Sequence, residues 1–408
     1  MNNNNKSRPK VYATLPVLNE SEHILRLYND LQSQQSVRWQ LVVCVNQPEE
    51  WWQQHEKTAL CADNQKTLSL LEKLQDERIS IIDRSSPGKG WKGAKHGVGW
   101  ARKTAMDRAA TMASPDDLMV TIDADTHYPP SFFAEIVNQL NSHPDAVGLS
   151  APYYHPLTGN EDADRSMLRY ECYMRNYALN MLLIRNPYGF TAIGSGMACT
   201  MRNYHRVGGL TPKMSGEDFY FMQKLRKAGP IIIDLPVKVY PEARFSDRVY
   251  FGTGPAMIKG NQGNWSSYPI YHEKSFVKIK ETYDSFMQLY DHDIPTPMDN
   301  FIEQNFGLTQ FWETLRKNAA SAATFVKSCQ HRLDGLRILQ FLKYDKSHYQ
   351  ESEESTLLNF LSTHFQGFRT LDLPEPFSFS HCSVESLNRL RNFMVYHEEI
   401  LQHKIKTL

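Results

Sequence analysis

VTIDADTHYPP, residues 120–130, decides how the rest of this chain is read. Val120, Thr121 and Ile122 are β-branched, the residue type that suits a packed strand. The run then stops on two carboxylates, Asp123 and Asp125, with only Ala124 between them. On a strand, acids at i and i+2 share one face, and they repel unless a cation or a cluster of donors lies beside them. A divalent metal ion is the economical answer. A solvated turn, with one helix-capping Asp before Pro129 and Pro130, is the plain alternative.

Working outward, VYATLPVL, QLVVCVN, ISIID, LMVTIDAD and AVGLSAPY are short apolar runs separated by helix-like stretches over the first 250 residues or so. That alternation predicts an α/β fold with a parallel or mixed sheet and helical crossovers. The runs give way to polar residues at Pro16, Asn46, Asp83 and Asp123. Ligands of open α/β sheets collect beyond the carboxyl ends of the strands, so these four ends outline one candidate pocket. From about residue 255 the spacing becomes helical, as in SVESLNRLRNFMVYHEEILQHKI with Leu387, Leu390, Met394, Leu401 and Ile405. The expected organisation is a loose polar tail over 1–9, an α/β domain over 10–254 and a helical region over 255–408. FGTGPAMIKGNQGNW, residues 251–265, reads as a junction or active-site loop because it is rich in Gly and Asn.

The chain of 408 residues has 45 Lys plus Arg against 45 Asp plus Glu, so no global charge draws it to nucleic acid or an anionic membrane. Any anion site must be local. Cys44, Cys61, Cys172, Cys199, Cys329 and Cys382 are scattered without a C-x-x-C pair, which fits buried thiols in a cytoplasmic protein better than a disulfide frame or zinc site. No apolar run approaches the ~18–20 residues that cross a bilayer. At most a peripheral membrane contact is expected.

Three further stretches carry chemistry. RSSPGKGWKGAKHGVGWARK, residues 84–103, combines Gly-rich turns with cations, a surface suited to a diphosphate, with Lys89 the favoured cation. It lacks the G-x-x-x-x-G-K-[ST] pattern of a P-loop. GEDFYFMQKLRKAG, residues 216–229, opens an amphipathic helix on Glu217 and Asp218; acids in a first turn also complement the helix dipole. YPEARFSDRVYFGTG follows the last expected strand and offers Arg244 and Arg248 as bidentate donors to phosphate. QSVRW, residues 35–39, matches the Q-x-x-R-W pattern of processive polysaccharide synthases but precedes the second strand, and is read as coincidence. A haloacid-dehalogenase-type phosphatase also ends a strand in D-x-D, yet it expects Thr or Val where His127 stands.

Taken in order, TLPVLNE, LVVCVNQ, ISIID, VTIDADTHYPPSFF, GSGMACTMRNYHRVGGL and SGEDFYFMQKLRKAG resemble the family 2 glycosyltransferases of the GT-A fold over roughly residues 10–250. The resemblance implies a Rossmann-like, mostly parallel sheet and transfer of a sugar from a nucleotide-diphosphate donor to an acceptor hydroxyl. It implies that Asp123, beside Ala124, contacts the donor ribose and that Asp125 holds Mn2+ or Mg2+, with His127 as a further ligand. Pro16, Glu20, Asn46 and Asp83 would line the nucleoside pocket. Asn46 stands where the family usually has Asp, which leaves the base open. Asp218, with Glu217 beside it, would be the general base of an inverting reaction. Two other readings stay open: a sugar-nucleotide-binding module without catalysis, and a sugar-1-phosphate nucleotidyltransferase, although TLPVLNE lacks the glycines that such an enzyme carries after its first strand.

Overall fold

The computed structural model describes residues 9–93, 96–246, 252–306 and 310–408. They form two compact units, one comprising residues up to 167 with 191–263 and Thr407, the other 168–190, 264–406 and Leu408.

The strands of the first unit are β1 (Val11–Val17), β2 (Trp39–Asn46), β3 (Ile79–Arg84), β4 (Leu118–Thr121), β5 (Thr126–His127), β6 (Gly148–Ser150), β7 (Met197–Thr200), β8 (Ile231–Ile232) and β9 (Tyr240–Pro241). Among the described residues, seven of them make one mixed sheet in the order β3-β2-β1-β4-β7-β6-β8, and β5 pairs separately with β9. β1 is parallel to both β2 and β4, and β2 to β3, while β7 runs antiparallel between β4 and β6. Every residue of β1 and all of β2 except Gln40 are buried, the near-continuous burial of a parallel strand covered on both faces. The helices Ile24–Gln32, Thr58–Lys73, Val98–Met112, Phe132–Ser142 and Glu217–Ala228 contribute apolar residues to this core. Cys44, Cys61 and Cys199 are free and buried in it.

Two expectations change. The D-x-D pair does not sit on a strand: β4 stops at Thr121, a last backbone bond runs from Ile122 to Thr14, and Asp123 and Asp125 lie in the turn that follows. Their carboxylates are therefore not bound to one face. Residues 253–261, expected as loop, form the helix Thr253–Asn261, because Pro255 is tolerated in a first turn and Ala256 and Met257 are buried. Gly252, at a φ of 120°, makes the turn into it.

The second unit is helical, as the spacing predicts. Leu168, Cys172 and Leu179 of the helix Glu161–Leu183 share a core with Leu357, Phe360 and Leu361 of Glu353–His364 and Leu387, Leu390 and Met394 of Val384–Ile405. Ser321, Asp334, Ser352 and Ser383 cap the helices that follow them by accepting a backbone N–H three residues on. Buried Arg175 pairs with Glu171 at 2.8 Å and Glu398 at 2.6 Å, and Arg391 with Glu171 at 3.1 Å. Among the described residues no helix is long and apolar enough to cross a membrane.

Candidate active site

The carboxyl ends of β1, β2, β3 and β4 open on one edge of the sheet, and four acids singled out in the sequence, Asp123, Glu217, Asp125 and Glu20, bind two arginines. The first is Arg102, on the helix Val98–Met112. Its side chain is 4% exposed; Nη2 lies 3.0 Å from Asp123 Oδ1, Nε lies 2.9 Å from Glu217 Oε1, and Nη1 donates to Gly194 O at 3.1 Å. Burial works against its charge, yet Asp123 and Glu217 hold its proton more firmly than usual. At Gly194 a Cβ would meet Arg102 Nη2 at 2.4 Å, so any side chain there must push the guanidinium aside. At Gly99 a Cβ would lie 2.4 Å from Lys213 O, so the helix carrying Arg102 packs directly on the loop that leads to Glu217.

Asp218 is half-buried at the start of the helix Glu217–Ala228, one oxygen accepting the Phe219 N–H at 2.7 Å. Burial first, and the neighbouring Glu217 carboxylate second, push its pKa up to about 7; Arg102 opposes them. Asp123 is fixed from behind as well, its N–H donating to the buried Tyr128 Oη at 2.9 Å while Tyr128 donates to Ser195 O at 3.1 Å. Ala124 is buried beside it.

The second arginine is Arg244, after β9. Its Nη2 lies 2.6 Å from Asp125 Oδ2 and 2.5 Å from Glu20 Oε1. Behind Glu20, His23 pairs with Glu20 at 2.8 Å and with Glu242 at 2.9 Å. The bond to Glu20 raises His23 above the usual imidazole range against its own burial. Arg248 lies outside the described residues.

Other predicted residues are held by different partners. His127 turns its Nδ1 to Asp30 Oδ2 at 2.9 Å, and Asp30 also accepts the Tyr128 N–H at 3.0 Å. Asn46 is buried, its Nδ2 donating to Val17 O at 2.8 Å and its Oδ1 accepting from Trp91 Nε1 at 3.1 Å. Pro16 lies inside β1, opposite Cys44. Asp83 accepts from the Ser85 and Ser86 amides at 3.0 and 2.9 Å and from Lys89 Nζ at 2.9 Å. Burial would raise its carboxyl, but these donors hold it below the usual carboxylate range. The Gly-rich turn does bind an anion, and the anion is Glu49, whose oxygens accept the Gly88 and Gly90 amides at 2.8 and 2.7 Å.

Arg102, Tyr128, His23 and Glu49 were not singled out from the sequence. Arg102 had a signal: it stands between Ala101, Ala105 and Met106, all buried on one helix face, where a lone arginine needs acidic partners. The other three have no comparable local pattern.

No family model matches the chain, and no curated protein matches it. Among solved structures it is similar to TarS of S. aureus in complex with UDP-GlcNAc, at 12% identity and a TM-score of 0.41, covering 97% of this chain and 91% of that one. It is also similar to the mannosyltransferase PcManGT of Pyrobaculum calidifontis in complex with GDP-Man and Mn2+, at 13% identity and a TM-score of 0.38, covering 97% and 88%.

Proposed function

We propose that this chain is a glycosyltransferase of the GT-A type, transferring a sugar from a nucleotide-diphosphate donor to an acceptor hydroxyl with inversion and without processivity. The observation that carries the reading is Arg102. One buried guanidinium joins the D-x-D acid Asp123 to Glu217 of the E-D pair, residues 94 positions apart in the chain, so the donor-side and acceptor-side acids share one centre. A folded chain has little reason to bury an Arg between two acids at a strand-end crevice unless those acids must be aimed.

In this reading Asp218 is the general base. Its raised pKa suits that role, since near neutrality a good fraction is ionised, yet the carboxylate is basic enough to take the acceptor proton as the hydroxyl oxygen attacks the anomeric carbon. The C1–O bond breaks and its electron pair leaves with the nucleotide diphosphate. Arg244 is the nearest described cation to Asp125 and would meet that charge; Lys89 and Arg248 are the secondary candidates. Glu217 orients Arg102 and crowds Asp218. Pro16, Glu20, Asn46 and Asp83 border the nucleoside side, although both polar atoms of Asn46 are committed to Val17 and Trp91, leaving little with which to read a base.

A divalent ion does not fit the acids as they stand. Asp123 holds Arg102, Asp125 holds Arg244, His127 faces Asp30, and among the described residues no group of three acids, His or Cys is arranged around a metal. No step of this reading passes through a metal. A cytoplasmic location, with an acceptor that is a saccharide or a lipid-linked saccharide, completes the proposal. The test is hydrolysis of a panel of UDP- and GDP-sugars by the purified protein and by Asp218→Asn, with and without Mn2+. Donor binding by both proteins without turnover by either favours the binding module instead.

A further inference from the structure

Arg244 is bound in an unusual way. A single nitrogen, Nη2, serves two carboxylates at once, Asp125 at 2.6 Å and Glu20 at 2.5 Å, while its Nε is buried with no partner among the described residues. Glu20 is itself fixed from behind by His23, and the backbone of Asp125 is tied down by the Glu242 N–H, which donates to Asp125 O at 3.1 Å, while the guanidinium between the two carboxylates has bonding capacity left over. Two carboxylates facing one another across a cation are what a hard divalent ion seeks. Here the place is taken by the chain's own cation. The electrostatics agree: Asp125 and Glu20 together hold the Arg244 proton above its ordinary range in spite of burial.

We propose that Arg244 is a resident counter-cation that competes with divalent metal for Asp125. In the ligand-free protein Arg244 occupies Asp125 Oδ2, so an ion that takes that oxygen displaces the guanidinium, which is then available to a donor diphosphate. Arg244 thereby makes metal binding weak until an anionic ligand arrives to receive it. The inference deepens the proposed donor site, resting on the reading that Asp125 faces that donor, but its test uses neither donor nor acceptor.

Mn2+ alone is titrated into the full chain, and free Mn2+ is followed by its electron paramagnetic resonance signal. Loss of a charge-assisted contact of this kind corresponds to about tenfold in affinity, so Arg244→Gln should bind Mn2+ about tenfold more tightly than the unaltered chain. Adding Asp125→Asn to Arg244→Gln should abolish the gain. Arg26→Gln, which removes an equal charge 3.7 Å from Glu242 without touching Asp125, should leave affinity unchanged. Arg244→Met serves as a second variant should Arg244→Gln fail to fold, with the same expectation. Equal or weaker Mn2+ binding by the Arg244 variants, or an equal gain from Arg26→Gln, overturns the proposal. An inactive protein that still shows the gain would refute the proposed transfer reaction and leave the competition standing.

Discussion

Replacing Arg102 by methionine takes a cation from between two acids while keeping most of the side chain's volume. The consequences for the two acids differ. Asp123, with a side chain 31% exposed, regains water readily, whereas Glu217, 4% exposed, is left charged in a site that water barely reaches. Removing one partner of a buried pair costs about 3–5 kcal/mol, a large part of the ~5–15 kcal/mol that holds a typical domain together. With an m value of about 3 kcal/mol/M, the urea midpoint of the first unit should fall by about 1–2 M. Tryptophan fluorescence is the assay. Trp39, Trp51, Trp52, Trp91 and Trp100 belong to the first unit and Trp265 and Trp312 to the second, so the early transition should carry most of the signal. The double variant Arg102→Met with Glu217→Gln removes the stranded charge and should restore more than half of the loss. A shift below about 0.3 M at that m value, or no recovery in the double variant, would refute the claim that Arg102 is what allows Glu217 to be buried.

Asp218→Asn should keep the fold and lower the rate of sugar transfer or donor hydrolysis by roughly 10^2 to 10^4, and near-normal turnover would remove Asp218 from the mechanism. Because Asp218 is raised to about 7, activity should climb as pH rises through that value. Its effect on stability has the opposite sign: a carboxyl that holds its proton more tightly when folded favours folding below about pH 4, and the benefit is lost as pH rises toward 7, a slope that Asp218→Asn should flatten in a pH series of melting curves. Gly194→Ala sets a methyl 2.4 Å from Arg102 Nη2 and should destabilise by about 1–3 kcal/mol, measured by denaturant unfolding. Asn46→Asp replaces a donor to Val17 O by an acceptor and should cost about 1–3 kcal/mol in the same assay; unchanged stability would show that the Val17 contact does not matter.

The strands of the sheet were legible because parallel strands buried on both faces must be runs of apolar residues, and LVVCV and VYATLPV are such runs. The antiparallel course of β7 was not, since direction leaves no mark on a strand as short as Met197–Thr200. Helices of the C-terminal half announced themselves through the period of their apolar residues, whereas Thr253–Asn261 hid behind its glycines. At the site, the sequence offered the acids but not their partners. Asp123, Asp125 and Glu217 stand in short motifs, while Arg102 and Arg244 meet them only through folding, across 21, 119 and 115 positions. The same holds for Glu49, whose match to the Gly88 and Gly90 amides depends on where two loops end.

The helix Glu161–Leu183 ties biosynthesis to topology. Its residues from Leu168 onward find apolar and ionic partners in Leu357, Phe360 and Glu353 and in Leu387, Leu390, Arg391 and Glu398, which leave the ribosome some two hundred residues later. During that interval an oily stripe with three charged groups meant for burial, Arg169, Glu171 and Arg175, lacks its later cover. No single cut yields two self-sufficient fragments either: a shortened chain ending near residue 263 would keep the stripe and lose its cover, and should need a chaperone or a detergent to stay in solution.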